Sequence, residues 1–412
     1  MTSRERVLAA LAHREPDRVP VDFGGHRSSG IMAIAYRKLK DALGLRGGGI
    51  YVYDVIQQLA IVEPPVLDAL GVDTIEMGRG HLLDDTEWRD WELPDGTPCQ
   101  VPGYVDLRRR GEDWFIHARD GTPLAVQKRG CLYFEQLYWP RLDRPMSDGD
   151  DFADLTTLGP RSMWTAVPHP GAHLALDAAG LAELRRRAAA LRARTDRAIV
   201  ALFGGNLFEV PQFYFRTDHY LTALAEQPAA VHRLTERLCE LYLASLEQWL
   251  GAVGPYVDVV VFGDDLGSQC GPLISPRMYR EFFQPHHARL WRRAKELAPV
   301  KVMLHSCGDL SALLDDLIAA GVDAVNPVQI SCRGMDAATL KARHGDRLTF
   351  WGGGCDTHRV LPRGTPAEVA AHVRAQTATL RPGGGFVFQQ VHNVMADVPP
   401  ANLLAMFRAV NG

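Results

Sequence analysis

The sequence lacks the features that mark membrane-spanning, secreted or nucleic-acid-binding proteins. No apolar run reaches the length of about 18 residues that a transmembrane helix needs. The first residues show no signal-peptide pattern. Basic residues are not in excess, because 45 Lys and Arg face 49 Asp and Glu, and the formal net charge is -4. We therefore expect a cytoplasmic protein with no membrane and no nucleic-acid partner.

Cysteine is also scarce. The chain has seven cysteines, an odd number scattered through 412 residues, and this pattern does not predict a disulfide framework. A chain of this length buries enough apolar surface to fold without such cross-links. The cysteines are therefore expected to be free thiols or metal ligands.

Apolar runs alternate with helical patterns along most of the chain. The predicted strands begin near residues 19, 73, 198, 257, 301, 323, 348 and 385. Eight strand–helix units predict an α/β fold, a single (β/α)8 TIM barrel spanning residues 1–412, with further helical patterns at 31–44 and 54–70. An open doubly wound sheet is the alternative, but no G-x-G-x-x-G motif follows the first strand to support it.

Two segments interrupt this alternation. Residues 81–135 alternate apolar and polar side chains and contain two Asp-Gly turns, at 95–96 and 120–121. Since Asp-Gly tolerates the positive φ of a tight hairpin turn, this region predicts an antiparallel β insertion. Residues 140–171 are rich in Pro and Asp, and this composition predicts an irregular loop.

A histidine and a cysteine follow one of the predicted strands. The apolar run after Lys301 ends on His305, and Cys307 comes two residues later. Side chains alternate along a strand, so these two are expected to point the same way. Imidazole and thiolate are the commonest zinc ligands. A histidine that caps a strand, beside a small core cysteine, would give the same letters, so the other strand ends decide between the two interpretations.

The other strand ends also carry polar side chains, where a barrel places its functional groups. A third zinc ligand could come from Cys355 or from His392, with Glu209 in reserve as an oxygen ligand. Asp264 and Asp265 follow the strand that begins near 257. This pair would orient a ligand, hold substrate or cap the next helix.

Several segments resemble the uroporphyrinogen decarboxylase family, and the resemblance runs from near Met1 to Gly412. They include residues 15–20, 262–267, His-Ser-Cys-Gly at 305–308, Asn-Pro-Val-Gln at 326–329 and His-Asn at 392–393. The chain is most similar to the branch of cobamide-dependent methyltransferases and O-demethylases. The resemblance implies a (β/α)8 barrel, in agreement with the strand count.

The decarboxylases carry an arginine-rich M-R-Q-A-G-R-Y signature after the first strand, which grips the porphyrinogen carboxylates. Here the corresponding residues 23–30 read Phe-Gly-Gly-His-Arg-Ser-Ser-Gly. Only Arg27 could take that role. The resemblance therefore favours methyl transfer over decarboxylation of a tetrapyrrole.

The methyltransferase branch binds zinc through H-x-C and a distant cysteine. The first two ligands carry over to His305 and Cys307. The distant cysteine falls after the last strand, where this chain has His392, while Cys355 lies one strand earlier. The resemblance therefore leaves either residue as the third ligand.

We predict a zinc-dependent methyltransferase that moves a methyl group between a small substrate and a corrinoid (cobamide) protein, with methyl ethers ahead of thiols. The alternatives are a tetrapyrrole decarboxylase and a non-catalytic barrel that binds a corrinoid or porphyrin. The expected partners are the small methyl donor or acceptor, the corrinoid protein and a second copy of the chain in a homodimer. The predicted substrate-binding residues are His26, Asn206, Asp264, Gln329 and Gln389, and the predicted proton-handling residues are Asp265 and Glu209.

Overall fold

The computed structural model describes residues 1–77, 87–144, 146–147, 149–166 and 176–412. The strands are Val52–Asp54, Leu59–Ala60, Thr74–Glu76, Trp88–Glu92, Pro98–Pro102, Asp106–Arg110, Asp113–His117, Pro123–Gln127, Glu135–Gln136, Ala198–Gly204, Val259–Gly263, Lys301–His305, Ala324–Asn326, Thr349–Trp351 and Phe386–Val387. The α-helices are Ser3–Leu11, Ala33–Ala42, Pro64–Ala69, Leu155–Leu158, Met163–Ala166, Ala178–Ala193, Glu209–Phe215, Thr217–Glu226, Pro228–Val253, Pro276–Phe282, Gln284–Leu297, Leu314–Ala320, Ala337–His344, Val360–Arg363, Pro366–Leu380 and Pro400–Asn411.

Seven of the strands form one curled parallel sheet. Its order is Phe386–Val387, Thr349–Trp351, Ala324–Asn326, Lys301–His305, Val259–Gly263, Ala198–Gly204 and Thr74–Glu76. The strand Val259–Gly263 is buried along its whole length, as expected for a valine-rich strand that is covered on both faces. The register places Gly263 beside His305 and His305 beside Asn326. Strand ends that carry chemistry therefore meet at one edge of the sheet.

The segment around Val21 bridges the two outer strands of this sheet. Phe388 N–H donates to Pro20 O at 2.8 Å, and Asp73 N–H donates to Val21 O at 2.7 Å. The pairing is limited to a single parallel bridge between Val21 and Phe388, because proline has no N–H to donate and Gly24 then turns the chain at a φ of 73°. This arrangement is consistent with a TIM-like barrel whose first predicted strand is reduced to a bridge.

The predicted helix at residues 54–70 is wrong over its first half. Val52–Asp54 and Leu59–Ala60 instead pair as antiparallel strands, and the helix is only Pro64–Ala69. Gln58 has a φ of 56°, a left-handed conformation that a helix interior does not accept. The two prolines that open the short helix also prevent a helical turn before them.

Antiparallel sheets are present in the predicted insertion. One pairs Trp88–Glu92 with Pro98–Pro102; the other contains four strands between Asp106 and Gln136. Both Asp-Gly turns have glycines with positive φ, 83° at Gly96 and 85° at Gly121, as tight hairpin turns require. Residues 81–86 of the predicted span lie outside the described residues.

The segment predicted as an irregular loop at 140–171 is partly helical. Leu155–Leu158 and Met163–Ala166 are helices. Arg141 pairs with Asp150 at 2.5 Å and also with Asp154, and the Arg141 side chain is only 2% exposed. Residues 145, 148 and 167–171 of the predicted loop lie outside the described residues. No helix in the described ranges is long and apolar enough to cross a membrane.

Candidate functional site

The side chains of His305 and Cys307 face each other where a central strand of the sheet ends. His305 Nε2 lies 3.5 Å from Cys307 Sγ, because His305 ends the strand Lys301–His305 and Cys307 follows two residues later. Gly308 then turns the chain with a φ of 93°, and a Cβ there would lie 2.3 Å from the backbone of Gly267. Glycine is therefore required directly after the cysteine.

His392 completes a group of three potential metal ligands. One ligand atom from each of His305, Cys307 and His392 lies within 4.8 Å of the other two. All three side chains are half-buried. Atoms bound to one zinc ion lie roughly 3–4 Å apart, because each is about 2.0–2.3 Å from the metal. Two imidazole nitrogens and one sulfur therefore fit zinc, with one coordination position open.

Cys355 is not part of this group. Its side chain is fully buried, its sulfur contacts the backbone oxygen of Asp356 at 3.9 Å, and its backbone forms a bridge with Gln390. Burial raises the pKa of the Cys355 thiol to about 12. Of the two alternatives for the third ligand, the geometry brings His392 to the pair and leaves Cys355 in the core.

A cavity of about 330 Å³ opens onto the three residues. Its apolar wall includes Trp164, Leu202, Phe203, Phe213, Tyr242 and Val261, and its polar lining includes His26, Arg27, Ser28, Gln57, Asn206, Glu209 and Asp265. A mostly apolar cavity with a few convergent polar groups is typical of a small-molecule site. The Arg27 guanidinium is already paired with Asp54 and lies 5.2 Å from the centre of the Trp164 ring.

Two carboxyl groups face the cavity close to the three ligands. Asp265 Oδ1 accepts a hydrogen bond from the backbone N–H of Cys307 at 2.8 Å and lies 3.7 Å from His305 Nε2. Asn206 Nδ2 donates to Glu209 Oε2 at 2.5 Å. Burial, together with the negative charge of the two neighbouring aspartates, raises the pKa of Glu209 well above its usual range. These surroundings therefore favour the protonated form of Glu209.

The protein environment also keeps the three ligand side chains uncharged. Burial lowers the pKa of His305, and burial together with the nearby His305 lowers the pKa of His392 to about 3. Burial and the Asp265 carboxylate raise the pKa of Cys307. Both imidazoles therefore keep free lone pairs, whereas Cys307 must lose a proton to bind a cation as a thiolate.

Asp264 lies behind the cavity rather than in its lining. Its carboxylate accepts hydrogen bonds from the backbone N–H groups of Leu207, Phe208 and Glu209 at 2.7–3.0 Å. His287 Nε2 lies 3.0 Å from the same carboxylate. Asp264 therefore holds the loop that carries Glu209, which is a role in positioning.

The other predicted substrate-binding residues divide between the cavity and the wall behind it. His26 and Asn206 line the cavity, whereas Gln329 and Gln389 do not. Gln329 Oε1 accepts from the backbone N–H of Gly308 at 2.8 Å. Gln389 is fully buried and its Oε1 lies 3.1 Å from His26 Nε2. Both glutamines therefore support residues of the site.

Sequence reasoning assigned no role to two neighbours of the site. Asn326 Oδ1 lies 2.9 Å from His305 Nδ1. The two residues are side by side in neighbouring parallel strands, and the strand positions in the sequence could have predicted this pairing. Trp164 contributes to the cavity wall from the segment that was predicted to be irregular. That segment has no periodicity from which its position could be predicted.

A model of the family described as "Uroporphyrinogen decarboxylase (URO-D)" matches residues 208–412. The uroporphyrinogen decarboxylase of Psychromonas ingrahamii is 26% identical over 179 residues, which cover 43% of this chain and 46% of the relative. That of Chlorobaculum tepidum is 26% identical over 187 residues, which cover 45% and 49%. The matched region thus spans about half the length of these curated relatives.

A solved structure, a methyltransferase from Methanosarcina mazei, has the same fold over the whole chain. The TM-score is 0.58 at 15% sequence identity, and the alignment covers 100% of this chain and 98% of the other. The fold is an α/β fold with a curled parallel sheet, and polar side chains collect at its strand ends. Residues 208–412, just under half of the chain, are similar to the uroporphyrinogen decarboxylase family.

Proposed function

We propose that the protein is a zinc-dependent methyltransferase that moves a methyl group between a small substrate and a corrinoid protein. The observation that carries this proposal is the group of His305, Cys307 and His392, whose ligand atoms lie within 4.8 Å of one another at one cavity. The fold shared with a methyltransferase supports it. The closed (β/α)8 barrel, the cytoplasmic location and the homodimer stay predictions.

When bound by these three residues, zinc would polarise the oxygen or sulfur that bears the methyl group, or hold a thiol as its thiolate. The chain's own residues prepare that site. His305 and His392 are neutral and offer nitrogen lone pairs. Asp265 lies against the Cys307 backbone and His305 Nε2, where its carboxylate can accept the proton that the Cys307 thiol releases.

Glu209 is placed to handle the proton of the substrate. Removal of a methyl group from an ether leaves an oxygen that has to be protonated. Glu209 faces the same cavity as Cys307, and its raised pKa favours the protonated form. We therefore assign it as the general acid, with Asn206 holding its carboxyl group in place at 2.5 Å. The cobalt chemistry belongs to the corrinoid of the partner protein.

The size and lining of the cavity support a small, partly apolar substrate. A volume of about 330 Å³ lies near the lower end of ligand pockets. The rings of Phe203, Phe213 and Tyr242 line one wall and Asn206 is a polar contact beside Glu209. A methyl ether with an apolar body suits this cavity better than a bulky tetrapyrrole.

Metal analysis of purified variants tests the proposal. We expect about one zinc per chain in the wild type, and loss of the metal in Cys307→Ala and His392→Ala, because each removes one of three ligands. Cys355→Ala is the matched control: it removes a cysteine that is outside the group, and zinc content should stay unchanged. A wild type that does not hold about one zinc per chain, even after reconstitution with zinc, would contradict the proposal.

Decarboxylation is a second candidate, since the curated relatives are decarboxylases and Arg27 faces the cavity. This reaction would depend on Arg27 and not on Cys307. An assay of both methyl transfer to a supplied corrinoid protein and carboxylate loss separates the two reactions. Carboxylate loss that survives a chelator and the Cys307→Ala change would favour decarboxylation, and no turnover in either assay would favour a barrel that only binds its ligand.

A further inference from the structure

The ring nitrogen of His305 that faces away from the cavity has a defined partner. His305 Nδ1 lies 2.9 Å from Asn326 Oδ1, and Asn326 is fully buried. We propose that Asn326 is a positioning residue that holds His305 in the tautomer protonated on Nδ1, which leaves Nε2 free to bind a metal ion. This inference rests on the proposed function for its purpose, but the tautomer itself can be tested without any metal.

The orientation of the Asn326 amide follows from a backbone carbonyl. One terminal atom of the amide lies 2.9 Å from the backbone oxygen of Trp351, and it lies 2.7 Å from Gln389 Oε1. A carbonyl oxygen can only accept a hydrogen bond, so this atom must be the nitrogen, Nδ2. The other terminal atom, Oδ1, must then face His305.

This orientation decides which nitrogen of His305 carries the proton. An amide oxygen can only accept a hydrogen bond, so His305 Nδ1 must be the donor. A neutral imidazole has one N–H, and Nε2 therefore has a free lone pair. Nε2 is the nitrogen that faces the site, 3.5 Å from Cys307 Sγ and 3.4 Å from Ser28 Oγ.

A second amide stabilises the first. Gln389 Nε2 donates to the backbone oxygen of Ser28 at 3.0 Å, which fixes Gln389 Oε1 as the acceptor for Asn326. The same oxygen lies 3.1 Å from His26 Nε2, and all of these side chains are buried. Rotating either amide by 180° would place two acceptor oxygens side by side. The buried network therefore holds both amides in one arrangement.

His305 and His392 differ in this respect. Within the described part of the chain, neither ring nitrogen of His392 has a hydrogen-bond partner, and the centre of its ring lies 5.9 Å from the centre of the His305 ring. Of the two histidines, His305 is therefore the one whose ring orientation is fixed by a hydrogen bond. Removing a partner that orients a ligand histidine weakens metal binding by about 10–100-fold in known sites.

Nitrogen NMR of histidine-labelled, metal-free protein measures the tautomer directly. The His305 signals are assigned by their loss in His305→Gln. In the wild type we expect the shifts of a protonated Nδ1 and an unprotonated Nε2. In Asn326→Leu, which has a similar shape but no acceptor, we expect a mixture of tautomers, and zinc affinity measured by chelator competition should fall about 10–100-fold.

Two further variants separate positioning from stability. Asn326→Asp keeps an oxygen beside Nδ1 and should keep the tautomer, while the loss of the two hydrogen bonds that Nδ2 donates should cost stability. Asn402→Leu is the matched control, because Asn402 is also buried and donates two hydrogen bonds, to the backbone oxygens of Leu361 and Gly364 at 2.8 Å. This variant should cost stability and leave both the tautomer and the zinc affinity unchanged.

The wild-type spectrum alone can overturn the inference, even if a variant does not fold. A protonated Nε2 on His305 in the wild type, or an unchanged tautomer and affinity in Asn326→Leu, would show that Asn326 does not set the tautomer. A protonated Nδ1 in a protein that binds no zinc would support the assigned tautomer and contradict the proposed function. The two failures are therefore distinguishable.

Discussion

Glu209 illustrates how a single residue obtains its chemistry from its neighbours. Its carboxyl group is held by Asn206, and it shares the region with the carboxylates of Asp264 and Asp265. The Asp264 carboxylate accepts hydrogen bonds from three backbone N–H groups. Burial and the combined negative charge raise the pKa of Glu209 and favour its protonated form.

We expect Glu209→Gln to lower the rate of methyl ether demethylation by about 10²–10⁴-fold, because an amide cannot donate the proton that a general acid supplies. Zinc content should not change, since Glu209 is outside the group of ligands. Steady-state kinetics and metal analysis on the same preparation measure both. Glu226→Gln, an exposed change at the end of a helix, is the control. Full activity in Glu209→Gln would show that another residue donates the proton.

At the scale of a strand, Thr74–Glu76 forms an outer member of the parallel sheet and carries a carboxyl group into the interior. Glu76 is only 4% exposed, and burial raises its pKa to about 7. In the unfolded chain its pKa is near 4.5. Between these two values the unfolded state releases a proton that the folded state retains, so this residue makes the protein less stable as the pH rises from 4.5 to 7.

Replacing Glu76 by Gln should remove this dependence. At pH 8 the free energy of unfolding should increase by about 3 kcal/mol, the cost of a shift of about 2.5 pKa units, while at pH 4 the two proteins should differ little. Urea denaturation between pH 4 and pH 8 measures the change, with Glu226→Gln as an exposed control. A parallel pH dependence for the Glu76→Gln variant and the wild type would contradict the assigned pKa.

The partly helical segment beside the cavity depends on a buried ion-pair cluster. Arg141 pairs with Asp150 and Asp154, and the side chains of Arg141 and Asp150 are 2% and 3% exposed. Arg141→Ala should destabilise the protein by about 3–5 kcal/mol, because it removes the buried cation that pairs with Asp150. Arg144 lies 3.8 Å from the same two aspartates but is 64% exposed, so Arg144→Ala should cost less than about 1 kcal/mol. If thermal or urea denaturation shows the same loss of stability for Arg141→Ala and Arg144→Ala, burial does not determine the cost of removing the arginine.

At the scale of the whole molecule, the candidate site joins distant parts of the sequence. His305 and Cys307 come from one strand end, His392 follows the strand Phe386–Val387, and Glu209 follows Ala198–Gly204. A ligand that binds all of these parts binds only the folded chain. Metal binding is therefore expected to stabilise the fold as a whole.

We expect zinc at about 100 times its Kd to increase the free energy of unfolding of the wild type by about 2.7 kcal/mol. Thermal unfolding of the apo protein, with and without added zinc, measures the effect. Cys355→Ala should show the same stabilisation and Cys307→Ala little of it. An equal shift in Cys307→Ala would mean that zinc binds elsewhere on the protein.

Local pattern was sufficient for much of the architecture and for part of the site. The strands of the parallel sheet follow from apolar runs, and the hairpin turns of the insertion follow from Asp-Gly pairs, because both depend on interactions between residues close in sequence. The close approach of His305 and Cys307 depends only on alternation along one strand. The helix predicted at 54–70 failed because a left-handed residue at Gln58 overrode the periodicity.

Tertiary structure decided everything that depends on distance between strands. Cys355 and His392 both follow strand ends, and no local pattern tells which side chain turns toward His305; packing leaves the cysteine in the core and brings the histidine to the site. The same is true of Asn326, whose amide meets His305 only through the register of two parallel strands. The sequence by itself therefore determined the kind of fold and two neighbouring candidate ligands, whereas the third candidate is a property of how separate strands are packed together.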